Sequence, residues 1–214
     1  MKVTKVRINN ESLSNCYLLI DEKTGYSAMV DPGGFLDEVI ETAEREKNNI
    51  KYILLTHGHF DHLLGAPLVK DVTGAPIAIG KGDEKCLESK VENLMVRFGV
   101  EAYFVPLKPD IVLYDGDEIT IGESKLKVMA TPGHSKGGVV YIDEESRSII
   151  SGDTLFYSTV GRTDNIGASD EELTESLRKL ISLDGDYTVY PGHGPETSLS
   201  RERVRNIYIR RMNR

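Results

Sequence analysis

The chain alternates between short apolar runs and amphipathic stretches, the pattern of a protein built from both strands and helices. Apolar runs predict strands around residues 2–8, 15–21 and 26–31. A helix is predicted over about 36–47, where apolar residues recur on one face. The β-prone run at 52–56 then predicts a buried strand.

The next stretch predicts two helices separated by one strand. A helix over about 63–72 ends at Thr73-Gly74, and a strand follows at 76–80. A second helix is predicted over 83–98, where the apolar stripe at helical spacing consists of Leu87, Val91, Leu94 and Met95. We interpret this stripe as core packing.

The second half of the chain repeats the order of strands followed by helices. Residues 102–150 predict successive strands, and a helix over 169–183 starts with a capping box formed by Ser169 and Glu172. A last strand and a basic helix follow. Because no linker or internal repeat interrupts this order, we expect a single domain over residues 1–214.

Residues that can bind metal follow four of the predicted strands. Three histidines and an aspartate lie in His57-Gly58-His59-Phe60-Asp61-His62, directly after the strand at 52–56. Three other apolar runs end at His134, Asp153 and His193. Because the ends of such strands meet at one edge of a sheet, we expect all seven side chains to lie together.

The number and type of these side chains predict a centre for two metal ions. Seven nitrogen and carboxylate ligands exceed the three or four that one zinc ion needs. A lone histidine is more often a surface or core residue, but the chain has no histidine outside this set. Asp153 taken alone would equally fit a turn stabilised by its own side chain.

Composition and charge exclude several classes of function. The net charge of -8 argues against a nucleic-acid partner. No apolar stretch approaches the length of a bilayer span, and the N-terminus lacks the apolar centre of a signal peptide. We therefore expect a soluble, cytoplasmic protein with no membrane partner. Cys16 and Cys86 are a poor disulfide framework, and Cys16 is expected in the core.

The C-terminal end differs from the rest of the chain in charge. Residues 201–214 contain six arginines and one glutamate. One interpretation is a solvated helix whose basic residues complement its dipole. The other is a positive edge of the site that attracts an anionic substrate.

Several segments resemble those of the metallo-β-lactamase superfamily, in its glyoxalase II branch. The matching segments are Asn15-Cys16-Tyr17, Asp31-Pro32-Gly33, Thr56–His62, Pro132-Gly133-His134-Ser135, Gly152–Phe156, Gly161-Arg162-Thr163-Asp164 and Gly192–Thr197. They extend over nearly the whole chain. In length the chain is similar to the short, single-domain glyoxalase II-like proteins.

This resemblance implies an α+β fold, a four-layer αβ/βα sandwich of two mixed sheets with helices on the outer faces. It also implies two divalent metal ions, for which zinc is expected and iron or manganese would suit the same ligands. By position, His57, His59 and His134 would hold the first ion. The second would be held by Asp61, His62 and His193, with Asp153 between the two ions.

The ligands themselves favour thioester hydrolysis. Two adjacent dications lower the pKa of a shared water, so that a bridging hydroxide can attack an acyl carbon. Asp61 and Asp153 would act catalytically by offsetting the metal charge. A thiolate, with a pKa near about 8.5, leaves without a dedicated acid, whereas an amide nitrogen needs a proton donor.

The resemblance leaves the substrate open, because only a short segment follows His193. It lacks the helical domain with which two-domain glyoxalase II enzymes bind glutathione. A small anionic thioester is expected, and Arg162 falls where those enzymes have a basic residue that touches substrate. The competing interpretation of Arg162 is an ion pair with Asp164. Phe60 and Phe156 are expected to pack beneath the metal loops, where core filling is favoured and shaping of the pocket is the alternative.

Two alternatives remain at this point. Persulfide dioxygenases share the Gly161-Arg162-Thr163-Asp164 segment and hold one iron with the equivalents of His57, His134 and Asp153. A metal-dependent scaffold without enzymatic activity would need a separate partner chain. The same ligands would also suit a lactone or a phosphoester, and the oligomeric state is not predicted.

Overall fold

The computed structural model describes residues 1–6, 14–33, 37–101 and 104–212. Its first six strands are β1 (Lys2–Val6), β2 (Cys16–Ile20), β3 (Ser27–Val30), β4 (Ile50–Leu54), β5 (Ile77–Gly80) and β6 (Ile111–Leu113). They form one sheet in the order β1-β2-β3-β4-β5-β6. Pairing is antiparallel from β1 to β3 and parallel from β3 to β6.

A second mixed sheet is built from the second half of the chain. Its strands are β7 (Glu118–Ile121), β8 (Ser124–Ala130), β9 (Val139–Asp143), β10 (Ser148–Gly152), β13 (Thr188–Pro191) and β14 (Thr197–Ser198). Their order is β14-β13-β10-β9-β8-β7, and only the β10–β13 pair is parallel among these described strands. A separate hairpin consists of β11 (Leu155–Phe156) and β12 (Thr159–Val160).

Seven α-helices are described, and they connect or cover the sheets. They are α1 (Asp37–Glu46), α2 (Phe60–Leu63), α3 (Ala66–Thr73), α4 (Met95–Phe98), α5 (Asp170–Ile181), α6 (Leu199–Arg205) and α7 (Ile207–Met212). A 3-10 helix spans Glu84–Leu87. At the start of α5, the Ser169 hydroxyl accepts from Glu172 N–H at 3.2 Å, as the capping box predicts. No described helix has the length and hydropathy needed to cross a bilayer.

Alternation along the strands produces three apolar layers. In β2, Cys16 and Leu18 pack toward α1 and α3, whereas Tyr17 and Leu19 face the other sheet. In β9, Val140 packs toward α5 in the same alternating way. The two sheets therefore share a central core, and each has helices on its outer face. This confirms the predicted α+β class and the metallo-β-lactamase fold of two mixed sheets.

The two sheets meet at the edge where the predicted ligands emerge. β8, β10 and β13 run in the same direction, so their carboxyl ends share this edge. Val139 N–H donates to the Thr56 carbonyl at 2.8 Å, and the Tyr141 hydroxyl donates to the Leu55 carbonyl at 2.7 Å. These bonds hold the end of β4 against the second sheet. Gly152, at φ +48°, allows this approach, because a Cβ there would lie 2.4 Å from Thr56 Oγ1.

One predicted element is wrong. Residues 83–98 do not form a continuous helix but contain only the 3-10 helix and α4, joined by turns. The Asn93 side chain donates to the Cys86 carbonyl at 3.0 Å and accepts from Met95 N–H at 3.1 Å. Such side-chain bonds to the backbone compete with the helix. Val91, predicted in the apolar stripe, is 53% exposed.

Other boundaries differ less from the prediction. The helix predicted over 63–72 is divided into α2 and α3, and the basic C-terminal helix is divided into α6 and α7. The first described strand after residue 102 begins only at Ile111. Residues 7–8, 36, 102–103 and 213–214 lie outside the described residues. The ends of the predicted elements that fall on these residues therefore stay predictions.

Candidate metal centre

The fold brings all seven predicted ligands together. Three groups have ligand atoms within 4.8 Å of one another: His57, His59 and His134; His57, His62 and Asp153; and Asp61, His62 and His193. We call the first group the histidine set and the last group the carboxylate set. Asp153 lies between the sets, with Oδ1 3.4 Å from His62 Nε2 and Oδ2 3.4 Å from His134 Nε2.

Hydrogen bonds at the far side of two imidazoles orient the histidine set. His57 Nδ1 lies 3.1 Å from Thr56 Oγ1, and that hydroxyl itself donates to Asp31. The hydroxyl can therefore only accept from His57 Nδ1–H. His134 Nδ1 lies 2.8 Å from the Arg162 carbonyl, which also can only accept. Both rings thus turn an Nε2 lone pair toward the cluster, the tautomer that binds a metal.

A buried carboxylate performs the same task in the carboxylate set. Asp31 Oδ2 lies 2.9 Å from His62 Nδ1, and the Asp31 side chain also accepts from Thr56 N–H and Oγ1–H at 2.8 Å and 2.6 Å. The side chain is 2% exposed. Asp31 therefore orients His62 directly and His57 through Thr56, so that one carboxylate supports both sets.

Unpaired polar atoms show that the cluster suits bound cations. Among the described residues, His62 Nε2 and Asp153 Oδ1 are buried and have no hydrogen-bond partner. His59 Nδ1 lies 3.0 Å from His57 Nε2 and 2.9 Å from His134 Nε2, and a single proton can serve only one of these contacts. Buried polar atoms are normally satisfied. Divalent cations with nitrogen and carboxylate ligands would satisfy these ones.

The two sets differ in electrostatics. Burial, followed by neighbouring imidazoles, lowers the pKa of His57 well below its usual value and that of His59 to about 3. Burial also opposes protonation of His62, but Asp61, Asp153 and Asp31 outweigh it and raise the pKa of His62. His57 and His59 are therefore kept neutral, whereas the carboxylates around His62 attract positive charge.

Buried residues from distant segments hold the ligand loops in place. Asp83 accepts from Gly58 N–H at 2.9 Å and from Gly137 N–H at 2.7 Å, which joins the His57–His62 loop to the loop after His134. The Asn15 side chain donates to the carbonyls of Pro191 and Gly194, and the Tyr17 hydroxyl also donates to that of Pro191. These last bonds fix the loop that carries His193.

A cavity of about 610 Å³ opens beside the cluster. Its lining includes five of the predicted ligands, His59, Asp61, His134, Asp153 and His193. The other lining residues are Phe60, Leu94, Phe98, Val100, Phe156, Arg162 and Asn165. Phe60 and Phe156 line this cavity, so the favoured prediction of core filling is wrong and the alternative, shaping of the pocket, is what the structure shows.

Charged groups at this cavity are arranged around Arg162. Its guanidinium makes two bonds to the Asp164 carboxylate, at 2.9 Å and 2.7 Å. Arg97 Nη2 lies 3.6 Å from the same carboxylate. Two guanidinium groups therefore share one carboxylate, so Asp164 only partly balances the charge of Arg162. No described arginine of the 201–212 segment lines this cavity, but Arg211 lines, together with Arg162, an adjoining cavity of about 760 Å³. The interpretation of the basic segment as a positive edge of the site therefore stays a prediction.

A family model described as the metallo-beta-lactamase superfamily matches residues 9–193. The chain belongs to this superfamily. Two relatives cover most of its length. A probable metallo-hydrolase, YqgX of Bacillus subtilis, is 34% identical, covering 92% of both chains. Hydroxyacylglutathione hydrolase GloC of Haemophilus influenzae is 31% identical, covering 91% of this chain and 92% of the relative.

Several solved structures are also similar to this chain. BLEG-1 B3 metallo-beta-lactamase has a TM-score of 0.89 and 30% identity, covering 97% of this chain and 99% of the other. TTHA1623, crystallised in a di-iron-bound form, has a TM-score of 0.80 and 30% identity, covering 96% and 99%. ETHE1 from Myxococcus xanthus shares the fold, with a TM-score of 0.78 and 23% identity, covering 100% and 90%.

Several residues that hold the ligands and their loops in place could not be assigned this role from the sequence. Asp31, Asn15 and Tyr17 stood in recognised segments, but their contacts join positions 25 or more residues apart. Asp83 stood in no recognised segment. For Asp31, a positive φ of 49° at a non-glycine residue marks a special position, but only coordinates reveal it.

Proposed function

We propose that this protein is a metal-dependent hydrolase of hydroxyacyl thioesters, of the S-lactoylglutathione type. The position of Asp153 carries the proposal, because its two oxygens face His62 and His134 from different sets. The similarity to a hydroxyacylglutathione hydrolase over nearly the full length supports it. We also propose a cytoplasmic location for this protein.

The chain's own residues would prepare the site for this reaction. We propose the histidine set for one divalent ion and the carboxylate set for the other, with Asp153 shared and zinc as the expected metal. When bound, two dications supply Lewis acidity and lower the pKa of water toward neutrality. Asp61 and Asp153 provide negative charge that balances them, while Asp31, Thr56 and the Arg162 carbonyl keep the imidazoles in the ligating tautomer.

The cavity lining supports a thiolate as the leaving group. None of the described residues that line it is a lysine or a tyrosine. A leaving amide nitrogen would lack such a proton donor, whereas a thiolate needs none. This favours thioester hydrolysis over β-lactam hydrolysis, the reaction named for the similar BLEG-1 protein.

We propose Arg162 as the contact for an anionic group of the substrate. Arg162 lines the cavity, and its partner Asp164 is shared with Arg97. Arg162→Gln should raise KM for S-lactoylglutathione by roughly tenfold with little change in kcat, the result of losing one charge-assisted contact. Arg178→Gln, which removes the exposed pair with Glu175, is the matched control. Equal KM values in both variants would contradict the role of Arg162.

A second candidate is a mononuclear iron persulfide dioxygenase. His134 and Asp153 lie 3.4 Å apart beside His57, which would suit a two-histidine, one-carboxylate iron site. The shared fold with ETHE1 is compatible with it.

The deciding experiment measures metal content and turnover on the same purified sample. The proposed hydrolase should contain about two metal ions per chain and hydrolyse S-lactoylglutathione. About one iron per chain, no thioester turnover and oxygen uptake with glutathione persulfide would favour the dioxygenase. Faster turnover of a β-lactam such as nitrocefin than of the thioester would also contradict the proposal.

A further inference from the structure

The cavity beside the metal centre has one wall that no ligand role explains. We define the apolar wall as Phe60, Leu94, Phe98 and Val100. The rings of Phe60 and Phe98 lie with centroids 5.4 Å apart. Phe60 belongs to the ligand loop itself, between His59 and Asp61. The wall is therefore continuous with the residues proposed to surround the reacting carbonyl.

The backbone that carries this wall is strained at Leu94. Leu94 has φ 69°, a left-handed conformation that is unfavourable for a bulky side chain. Phe60 N–H donates to the Asn93 carbonyl at 3.0 Å, which joins the wall to the ligand loop. Strain of this kind persists where surrounding structure enforces it, and it is concentrated at functional sites.

The exposure of Phe98 also distinguishes the apolar wall from the buried core. Phe98 is 51% exposed, although its ring contacts Phe60 and faces the cavity. On the same short helix, Arg97 donates to the Asn165 side chain at 2.8 Å. That bond joins α4 to the segment that follows Arg162 and holds Phe98 at the cavity. A large aromatic side chain kept partly in solvent in this way offers apolar surface to a ligand.

We infer that the apolar wall receives the acyl arm of the substrate, and that the enzyme prefers 2-hydroxyacyl thioesters whose side chains are larger and more apolar than that of lactate. This inference rests on the proposed thioester hydrolysis. A thioester has two arms, and Arg162 is the charged group of the lining suited to the anionic carrier. The methyl group of a lactoyl arm would cover little of two phenyl rings, a leucine and a valine.

Turnover of a substrate series tests this preference. The metal-loaded protein would be assayed with glutathione thioesters of 2-hydroxypropanoate, 2-hydroxybutanoate, 2-hydroxyhexanoate and mandelate. We expect kcat/KM to rise by about fourfold for each methylene that becomes buried, and mandeloyl to exceed lactoyl. Phe98→Ala should reduce the rise, whereas Phe98→Leu should retain most of it. Val96→Ala is the matched control, since Val96 lies on the same helix, is 49% exposed and does not line the cavity.

A binding measurement separates this inference from the proposed function. Calorimetry on the protein as purified would compare S-methylglutathione with S-hexylglutathione, neither of which can be hydrolysed. The hexyl compound should bind at least about tenfold more tightly, with a more negative heat-capacity change, and Phe98→Ala should remove most of the difference.

The outcomes are distinct. Absence of turnover with every thioester, together with tighter hexyl binding, would reject the hydrolase and retain the apolar subsite. Turnover that is fastest with lactoyl, or equal effects of Phe98→Ala and Val96→Ala, would overturn the apolar subsite and retain the hydrolase.

Discussion

The histidine set and the carboxylate set lie side by side, yet they are prepared for a cation in different ways. Burial and neighbouring imidazoles keep His57 and His59 neutral, so their lone pairs are available without competition from protons. In the carboxylate set, Asp61, Asp153 and Asp31 surround His62 and raise its pKa. A proton and a metal ion therefore compete for the same nitrogen. The difference indicates that negative charge attracts the cation in the carboxylate set. In the histidine set, neutral imidazoles are already oriented to bind it.

Removing the residue between the sets should have the largest effect on metal content. Asp153→Ala is expected to reduce hydrolysis by roughly a thousandfold, because the loss of a shared ligand weakens charge stabilisation by both ions. Metal analysis should show that both ions are depleted. Retention of about two ions per chain with normal activity would show that Asp153 is not shared between the halves.

Single-set variants should divide the metal content. His59→Ala and Asp61→Ala should each abolish hydrolysis while leaving the fold intact, and each should retain about one ion per chain. Circular dichroism and metal analysis on the same samples check both expectations. An Asp61→Ala variant that consumes oxygen with a persulfide would instead favour the iron dioxygenase.

Asp31 should connect the two halves, because it orients His62 directly and His57 through Thr56. Asp31→Asn is expected to weaken metal binding by about 10–100-fold, the usual effect of losing a carboxylate behind a ligating histidine. Asparagine tolerates the positive φ of this position, so the backbone should be preserved. Competition with a chelator measures the change.

Asp21→Asn provides the control for that experiment. Asp21 is also a buried aspartate, but it accepts from the Ser124 hydroxyl and from Glu123 N–H, away from the cluster. The Asp21→Asn variant should therefore bind metal with unchanged affinity. Equal loss in both variants would mean that Asp31 acts only through general stability.

The smallest effect concerns stability of the metal-free protein as pH changes. Between about pH 3 and pH 6.5 the unfolded chain protonates His59 and the folded chain does not, so His59 lowers stability as the solution becomes more acidic. His62 has a raised pKa, so its contribution is fully present below pH 6.5 and is lost as pH rises through the raised value.

Substitution of these two histidines should therefore change the pH dependence of stability in two different ranges. His59→Gln should lose less unfolding free energy than the parent protein as pH falls from 6.5 to about 3. His62→Gln should not show the gain in unfolding free energy that the parent protein shows as pH falls from the raised pKa of His62 to 6.5. Urea unfolding across both ranges, with a chelator present, provides the measurement. The same pH dependence in both variants would remove the electrostatic distinction between the sets.

The C-terminal boundaries of strands were predictable because alternation and turn residues are local signals. β8, β10 and β13 end close to the predicted positions, and the residues that follow them meet at one edge. The helix over 83–98 was not predictable in this way. Its apolar residues do recur at helical spacing. The helix is interrupted because the Asn93 side chain bonds to the backbone on both sides and Leu94 adopts a left-handed conformation.

By itself, the sequence determined the class of fold and the identity of the seven candidate ligands, because strand periodicity and ligand chemistry depend on residue type and local order. Only the tertiary structure decided which groups support them. Asp31 meets Thr56 and His62, and Phe60 meets Phe98, through contacts between segments that local pattern does not relate. The type of each ligand follows from the amino-acid sequence. The tautomer of each imidazole and the shape of the cavity depend on packing between distant segments.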